Sequence, residues 1–401
     1  RIYDLDDGSL IDEVMYYYKQ GPNTATGEDV AEIHTHGGNL ILKRVLELTY
    51  LYGCRPAKPG EYTLRAYKNG KMDLTQSEAV MSLIGAKSTL AAKISARQLS
   101  GGMGKRLSLE YDELLNVSAF LEAGLDYPDE DLPLVEINRI IDRLKELYDR
   151  LNQVSDTYKT GLFLSEGAKI VIAGPSNAGK SSILNSILQD DRALVHSEPG
   201  TTRDIVEASF EIGGIPVTFY DTAGFRVGAK TVELAGIKKS REAAEQGDLL
   251  IIVIDSSCNI DNEVEQELSR MAEQYKERTI IALNKCDIKS NVLYYKEWLK
   301  NGINVSAKSR ENLNVLLDSI ENLLKVSDTG DVILTTSRQQ ESIIETSDFI
   351  EKALDLLLNN KDLELVTAEL RWARDAFASL WGRHTQSDVF DKIFSTFCLG
   401  K

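Results

Sequence analysis

Apolar and polar positions change rhythm along the chain, and each rhythm predicts a different kind of element. Residues 1 to about 71 are mixed. They are punctuated at Gly21-Pro22-Asn23, Gly37-Gly38 and Pro59-Gly60, turn signals that separate short elements. From about 74 the spacing becomes helical, with Val80, Leu83, Ile84, Ala91 and Ile94 on one face. Beyond Pro128 and Pro133, a second stripe runs through Ile137, Ile140, Ile141, Leu144, Leu147, Leu151 and Val154. Such stripes read as helix-bundle core. From 168 to about 326 the texture alternates. Lys169–Ala173 (KIVIA), Val217–Tyr220 (VTFY), Leu249–Asp255 (LLIIVID) and Thr279–Leu283 (TIIAL) read as buried strands with helical segments between them, which predicts an α/β layer around a mostly parallel sheet. Residues 206–220, split by Gly213-Gly214, predict a hairpin and so one antiparallel edge. From about 337 helix returns, with Ile343, Ile350, Ala353, Leu354 and Leu357 on one stripe. An α/β domain flanked by helical stretches predicts one helical domain interrupted by an insertion.

Composition narrows the class. Of 401 residues, 42% are hydrophobic and 27% charged, enough to bury a sizeable core. The formal charge of −16 argues against bulk electrostatic binding of nucleic acid, while leaving room for a local basic patch or a basic partner. No apolar run approaches the ~20 residues of a membrane span. The four cysteines include no CxxC pair, which disfavours a disulfide framework and fits a reducing cytoplasm.

The chemistry concentrates in the alternating region. Gly174-Pro175-Ser176-Asn177-Ala178-Gly179-Lys180-Ser181 fits G-x-x-x-x-G-K-[ST], follows a predicted strand and opens a helix. Backbone amides of such a loop wrap phosphates, Lys180 reaches the β- and γ-phosphates, and the Ser181 hydroxyl binds Mg²⁺. Asp221-Thr222-Ala223-Gly224 closes a later strand, where a carboxylate can hold Mg²⁺ through water and the Gly224 amide can bond the γ-phosphate. In Asn284-Lys285-Cys286-Asp287, the Asp287 carboxylate can accept from guanine N1–H and the exocyclic amine together, which adenine cannot match. Lys285 would lie along the base plane, and Ser306-Ala307 could offer an amide to guanine O6. Gly200-Thr201-Thr202-Arg203-Asp204 supplies a switch threonine. Phe225 follows the DTAG string and cannot orient water, so hydrolysis needs another group. Asn177 could ligate a monovalent cation, or could simply form the turn.

These residues resemble the MnmE (TrmE) family of tRNA-modification GTPases. GPSNAGKSS, PGTTRD, DTAG and NKCD resemble its G domain. Phe397-Cys398-Leu399-Gly400-Lys401 resembles its C-terminal tail. Gly27-Glu28-Asp29-Val30, His36-Gly37-Gly38, Arg55–Tyr62 (RPAKPGEY), Asn69-Gly70-Lys71 and Tyr127-Pro128-Asp129-Glu130 resemble its N-terminal and helical signatures. The fold implied is multidomain: an α/β P-loop GTPase domain (168–326) inserted in an α-helical bundle domain (72–167 and 327–401), preceded by a small α+β folate-binding and dimerisation domain (1–71). The family begins with a glycine-rich strand carrying an arginine contact to folate. This chain starts after it, so the folate site as written is expected to be incomplete.

The resemblance implies a cytoplasmic, potassium-stimulated GTPase. With MnmG, an FAD protein, in a heterotetramer, it installs an aminomethyl or carboxymethylaminomethyl group at C5 of the wobble uridine of certain tRNAs. The one-carbon donor is a tetrahydrofolate derivative, 5-formyl or 5,10-methylene, and the protein is a homodimer through its N-terminal domain. Carried over residue by residue, the GTP/GDP site comprises Asn177, Ala178, Gly179, Lys180, Ser181 and Ser182, then His196, Ser197, Glu198, Pro199, Gly200, Thr201 and Thr202, then Asp221, Thr222, Ala223 and Gly224, and finally Asn284, Lys285, Asp287, Ser306, Ala307 and Lys308. Ser181 and Thr202 match Mg²⁺ ligands. Asn177, His196, Glu198 and Thr201 match the K⁺ loop. Glu233 matches the acid that orients hydrolytic water, Arg226 a nearby switch residue, and Lys180 the catalytic lysine. Glu32, Lys71 and Lys401 match folate contacts. Read from the G motifs alone, a GTPase switch in ribosome assembly without modification chemistry remains the other candidate.

Other conspicuous residues carry plainer expectations. His34 and His36, two apart on a strand, favour turn and packing roles over a metal pair. Cys398 leaves a packing role and a nucleophilic one both open. Trp372 and Trp381 read as core, and Asp126–Asp131 as a solvated acidic loop.

Overall fold

A computed structural model describes residues 1–126, 134–189, 194–196, 209–221, 240–288, 296–324, 332–383, 390, 393–395 and 397. The chain divides into two compact units, one of Arg1–Met81, Ala96–Asn152 and Arg338–Lys401, the other of Ser82–Ser95 and Gln153–Ser337.

The second unit is built on a seven-stranded sheet. In chain order after four N-terminal strands, its members are β5 (Ala168–Ala173), β6 (Leu194–His196), β7 (Ser209–Ile212), β8 (Ile215–Asp221), β9 (Leu249–Asp255), β10 (Thr279–Asn284) and β11 (Ile303–Asn304), and they lie side by side as β11-β10-β9-β5-β8-β7-β6. The strands from β11 through β8 are parallel, and at one edge β7 runs antiparallel to both β8 and β6. The four strands expected from apolar runs fall inside β5, β8, β9 and β10, and the hairpin expected around Gly213-Gly214 is β7 with β8. Gly213 and Gly214 turn β7 into β8 with φ of 60° and 85°. Positive φ at both positions is the mirror-image turn that matches strand twist. The short β6 beyond that hairpin has no alternating signature of its own.

Burial on both faces explains the unbroken apolar runs. One face puts Ile170, Ile172, Ile251, Val253 and Ala282 against Ile183 and Ile187 of the helix Lys180–Leu188 and Leu316 and Ile320 of the helix Leu313–Leu324. The other puts Val171, Ala173, Leu250, Ile252 and Ile254 against Val264, Leu268 and Met271 of the helix Asn262–Gln274. That helix is capped by Asp261, whose side chain accepts from the Glu263 amide at 3.1 Å.

The helical stripe expected from 80 to 94 is not continuous. It is two helices, Leu74–Ile84 and Thr89–Leu99. Ser88 starts the second, its hydroxyl accepting from the Ala91 amide at 3.1 Å. Ala91 is buried in the α/β core, with Ala86 and Ile94 packed against it. In the first helix the expected stripe is off the buried face: Leu74, Thr75, Ser77, Glu78 and Ala79 are buried, whereas Val80 and Leu83 are half-buried and Ile84 is exposed.

The first unit begins with two-stranded ribbons, β1 (Ile2–Tyr3) with β2 (Leu10–Asp12) and β3 (Met15–Lys19) with β4 (Val30–His34). Its helices bury the predicted stripes: Ile140, Ile141, Leu144, Leu147 and Leu151, and Ile343, Ile350, Ala353, Leu354 and Leu357. Between the helices Gly102–Asp126 and Leu134–Asp156, Glu110 is 6% exposed and accepts from Arg106 and Arg150, both at 2.8 Å. Trp381 stacks on Phe377 with centroids 5.4 Å apart. Trp372 departs from expectation: it is 51% exposed and rests on Phe349 at 5.8 Å. The helix Leu363–Ser379 buries Val366, Leu370, Ala373 and Phe377, and Trp372 falls off that stripe. Phe394 and Phe397 of the tail pack with Leu74, Leu64 and Tyr67. Gly60 (φ 64°) lies so near that a Cβ there would stand 2.7 Å from the Phe394 carbonyl oxygen. Among the described residues no helix is long and apolar enough to cross a membrane.

Candidate functional site: a nucleotide cradle at the strand ends

The C-terminal ends of parallel strands are where α/β sheets bind ligands, and here they gather the predicted chemistry. Asp255 and Asn284 are register partners at the ends of β9 and β10, and Asp221 lies opposite Ile172 at the end of β8.

The phosphate loop leaves β5 at Gly174, whose φ of 144° and closeness to β9 exclude a side chain: a Cβ would meet the Val253 carbonyl oxygen at 2.1 Å. Asn177 adopts φ 62° and is exposed. Gly179 (φ 93°) caps the helix, and a Cβ there would stand 2.1 Å from Asn284 Nδ2. Lys180 is 9% exposed, and its ammonium donates to the Gly174 and Pro175 carbonyls, both at 2.8 Å. The charge is thereby held over the loop, with the helix N-terminal amides beneath it, an arrangement suited to an anion. Ser181 and Ser182 follow on the exposed side of the helix.

Asn284 joins this loop to the loop after β11. It is 2% exposed; its Nδ2 donates to the Ala178 carbonyl at 2.8 Å, and its Oδ1 accepts from the Ala307 amide at 3.1 Å. Lys285 follows at φ 67°, a strained conformation for a residue with a Cβ. Its Nζ donates to Asp255 Oδ2 at 2.5 Å. Burial pushes the Asp255 carboxyl up, but the bonds from Lys285 and Ser257 outweigh it and hold the carboxyl below its ordinary value. Burial raises the Cys258 thiol, with Asp255 beside it adding to the shift, and burial likewise raises Cys286. Asp287 is exposed, and its Oδ1 accepts from the Ser306 hydroxyl at 2.7 Å. That bond orients the carboxylate of this exposed residue.

The O6 contact expected from Ser306-Ala307 is modified by this geometry. The Ser306 amide is taken by the Glu311 carbonyl at 3.0 Å, and the Ala307 amide by Asn284. Both amides of the Ser306-Ala307 pair thus already have acceptors within the protein. Two contributors escaped the sequence reading. Ser186 brings its hydroxyl to 2.7 Å from the Ala307 carbonyl. Asp255 was visible only as the single charge closing an apolar strand, at the C-terminal strand ends where ligands collect.

The remaining expectations divide. Arg226, Glu233, Ser197, Glu198, Pro199, Gly200, Thr201, Thr202, Thr222, Ala223, Gly224, Cys398, Lys401 and residues 127–131 lie outside the described residues, as do the side chains of His196 and Asp221. Glu32 lies on β4 opposite Tyr17, with its carboxylate 3.3 Å from His34 Nε2. Lys71 lies beside Gly27, where a Cβ would be 3.3 Å from Lys71 Cε. Glu32 and Lys71 share no hydrogen bond or ion pair. His36 bonds Asp12 instead, through Nδ1 at 2.7 Å. Among the described residues no cluster of His, Cys, Asp and Glu could hold a metal.

The family models for the GTP-binding protein TrmE N-terminus and the MnmE helical domain match residues 1–71 and 74–398. The chain belongs to the MnmE family. The tRNA modification GTPase MnmE of Aquifex aeolicus is 36% identical over 405 residues, covering 100% of this chain and 89% of its own length. That of Coxiella burnetii (strain Dugway 5J108-111) is 36% identical over 402 residues, 99% of this chain and 88% of its own. Among solved structures, the G domain of the T. maritima FeoB iron transporter is 24% identical over 39% of this chain and 99% of its own, with a TM-score of 0.29, too slight a likeness to carry weight. Family membership agrees with a P-loop GTPase fold inside a helical domain behind a TrmE-type N-terminus.

Proposed function

We propose that the chain hydrolyses GTP to GDP and phosphate, and that this hydrolysis serves the modification of tRNA. The observation that carries the nucleotide reading is Asn284, one buried amide bonding the phosphate loop and the base-reading segment at once, so that phosphates and base are measured against one frame. The phosphate-loop amides and Lys180 bind the phosphates. Asp287 pairs with guanine N1–H and its amine. Lys285 lies along the base, and the Ala307 or Lys308 amide meets O6.

Ser181 and Thr202 are proposed to hold Mg²⁺, and Asn177, His196, Glu198 and Thr201 to hold K⁺. The exposed Ser181 hydroxyl at the helix start and the exposed Asn177 amide on the loop fit those places. The bound cations supply positive charge against the negative charge growing between the phosphates. Glu233 orients the attacking water that Phe225 cannot, with Arg226 nearby. The modification half rests on the relatives' names and the resemblance: a tetrahydrofolate one-carbon donor bound with Glu32, Lys71 and Lys401, an FAD-containing MnmG partner, a homodimer through the N-terminal segment, and C5 of the tRNA wobble uridine as target, in the cytoplasm.

Phosphate release from GTP by the full chain tests this reading. Turnover is expected to rise sharply in KCl over NaCl at equal ionic strength. Glu233→Ala is expected to lower kcat roughly 10²–10⁴-fold with little change in nucleotide affinity. Equal rates in the two salts would remove the cation loop, full turnover in the variant would remove Glu233, and no hydrolysis in either salt would end the proposal.

A further inference from the structure

We propose that Asp255 is a positioning residue for guanine nucleotide binding: it holds the Lys285 ammonium so that the lysine stem is set along the base before the nucleotide arrives. This rests on the nucleotide-site reading above.

Both ends of Lys285 are fixed. Its backbone, at φ 67°, lies between Asn284, locked by its amide bonds, and Cys286, whose amide donates to the Val305 carbonyl at 3.2 Å. Its ammonium bonds Asp255 Oδ2 at 2.5 Å. Asp255 is itself oriented, its Oδ1 accepting from the Ser257 amide at 2.9 Å and the Ser257 hydroxyl at 2.6 Å. Because Asp255 pairs in register with Asn284, the carboxylate and the root of the lysine ride on adjacent strand ends and move together. The Asp255 side chain is 15% exposed and that of Lys285 33%, so the ion pair is shielded while part of the lysine remains open to a ligand.

A free lysine side chain loses much rotamer freedom when ordered. Here that freedom is already gone, so binding does not have to remove it, which favours affinity through preorganisation. The effect should be blind to base edges. Asp287 reads the edge of guanine, whereas a lysine stem along the ring plane meets any purine equally.

The test uses the full chain with fluorescent GDP and its inosine counterpart IDP, which lacks the exocyclic amine. Asp255→Asn is expected to weaken both about tenfold, by the same factor, leaving the GDP-to-IDP ratio intact. Asp255→Glu, which keeps the charge, should recover part of the loss and also serves if the Asn variant folds poorly. In a Lys285→Met background, where the stem persists without its charge, Asp255→Asn should weaken binding no further, because the pair acts as one unit. Unchanged affinity in Asp255→Asn, equal further loss in the Lys285→Met background, or an eroded GDP-to-IDP ratio would each overturn the inference. Wild-type protein that binds neither nucleotide would overturn the nucleotide reading itself.

Discussion

Two buried polar knots, one in each unit, show how similar means serve different ends. In the α/β unit the hub is Asn284, a neutral amide whose bonds go to backbone and whose neighbours Lys285 and Asp287 keep exposed surface. In the helical unit the hub is Glu78, 7% exposed, gripped by Arg338 through both nitrogens of its fork at 2.6 and 2.9 Å and by Gln339 at 2.6 Å. Arg338 also donates to the Ser379 and Leu380 carbonyls at 3.0 and 3.1 Å, which ties the end of one helix to the start of another. The helical knot is closed: charge meets charge, and its groups face one another. The nucleotide knot is open: its buried centre is satisfied while its rim still exposes the Asp287 carboxylate and part of the Lys285 side chain. A satisfied hub with an incomplete rim marks a site, whereas a hub whose bonds all close inward marks a joint.

The difference can be broken from either side. The largest effect is expected at the joint. Arg338→Ala removes both guanidinium bonds to the buried Glu78 and should lower stability by about 3–5 kcal/mol. Replacing both partners, with Arg338→Met and Glu78→Gln, should return much of that loss. Urea unfolding of the full chain checks both, and a double variant as unstable as the single would argue that shape, not charge, makes the joint. At the site, Asn284→Ala should cost less in stability, about 1–3 kcal/mol for buried groups left unpaired. Its main signature should be a roughly hundredfold weaker nucleotide, the equivalent of about 2.7 kcal/mol. Nucleotide titration beside the unfolding curve separates the two, and a variant that unfolds early yet binds GDP normally would make Asn284 a mere strut.

The two knots were unequally legible. The phosphate and base loops stand out because their chemistry demands particular residue types at fixed spacing: glycines where φ is positive or a strand passes close, a lysine at the helix start, an Asn and an Asp three apart after an apolar strand. The sheet was equally plain, since strands buried on both faces leave unbroken apolar runs. The Glu78–Arg338 clamp leaves no such trace. Its partners lie 260 residues apart, and a lone glutamate on an amphipathic helix reads as surface. Trp372 misled in the opposite direction, an aromatic near a stripe but off its buried face. Asp255 falls between: the charge ending LLIIVID was visible, but its lysine partner emerged only when strand register brought β9 beside β10. Ala91 and Ile94 show a further limit, because helical periodicity reports which face is buried and not which core buries it.

The claim that Asp287 reads the guanine edge is tested most directly by exchanging that edge. In Asp287→Asn, an amide replaces the acceptor pair that guanine requires and offers a donor to the extra carbonyl of xanthine. Turnover of GTP and XTP by the wild-type chain and by this variant should cross over, with GTP strongly preferred by the first and XTP by the second. A variant that hydrolyses GTP in preference to XTP as the wild type does would show that the base is recognised elsewhere, and would contradict the assignment of the site.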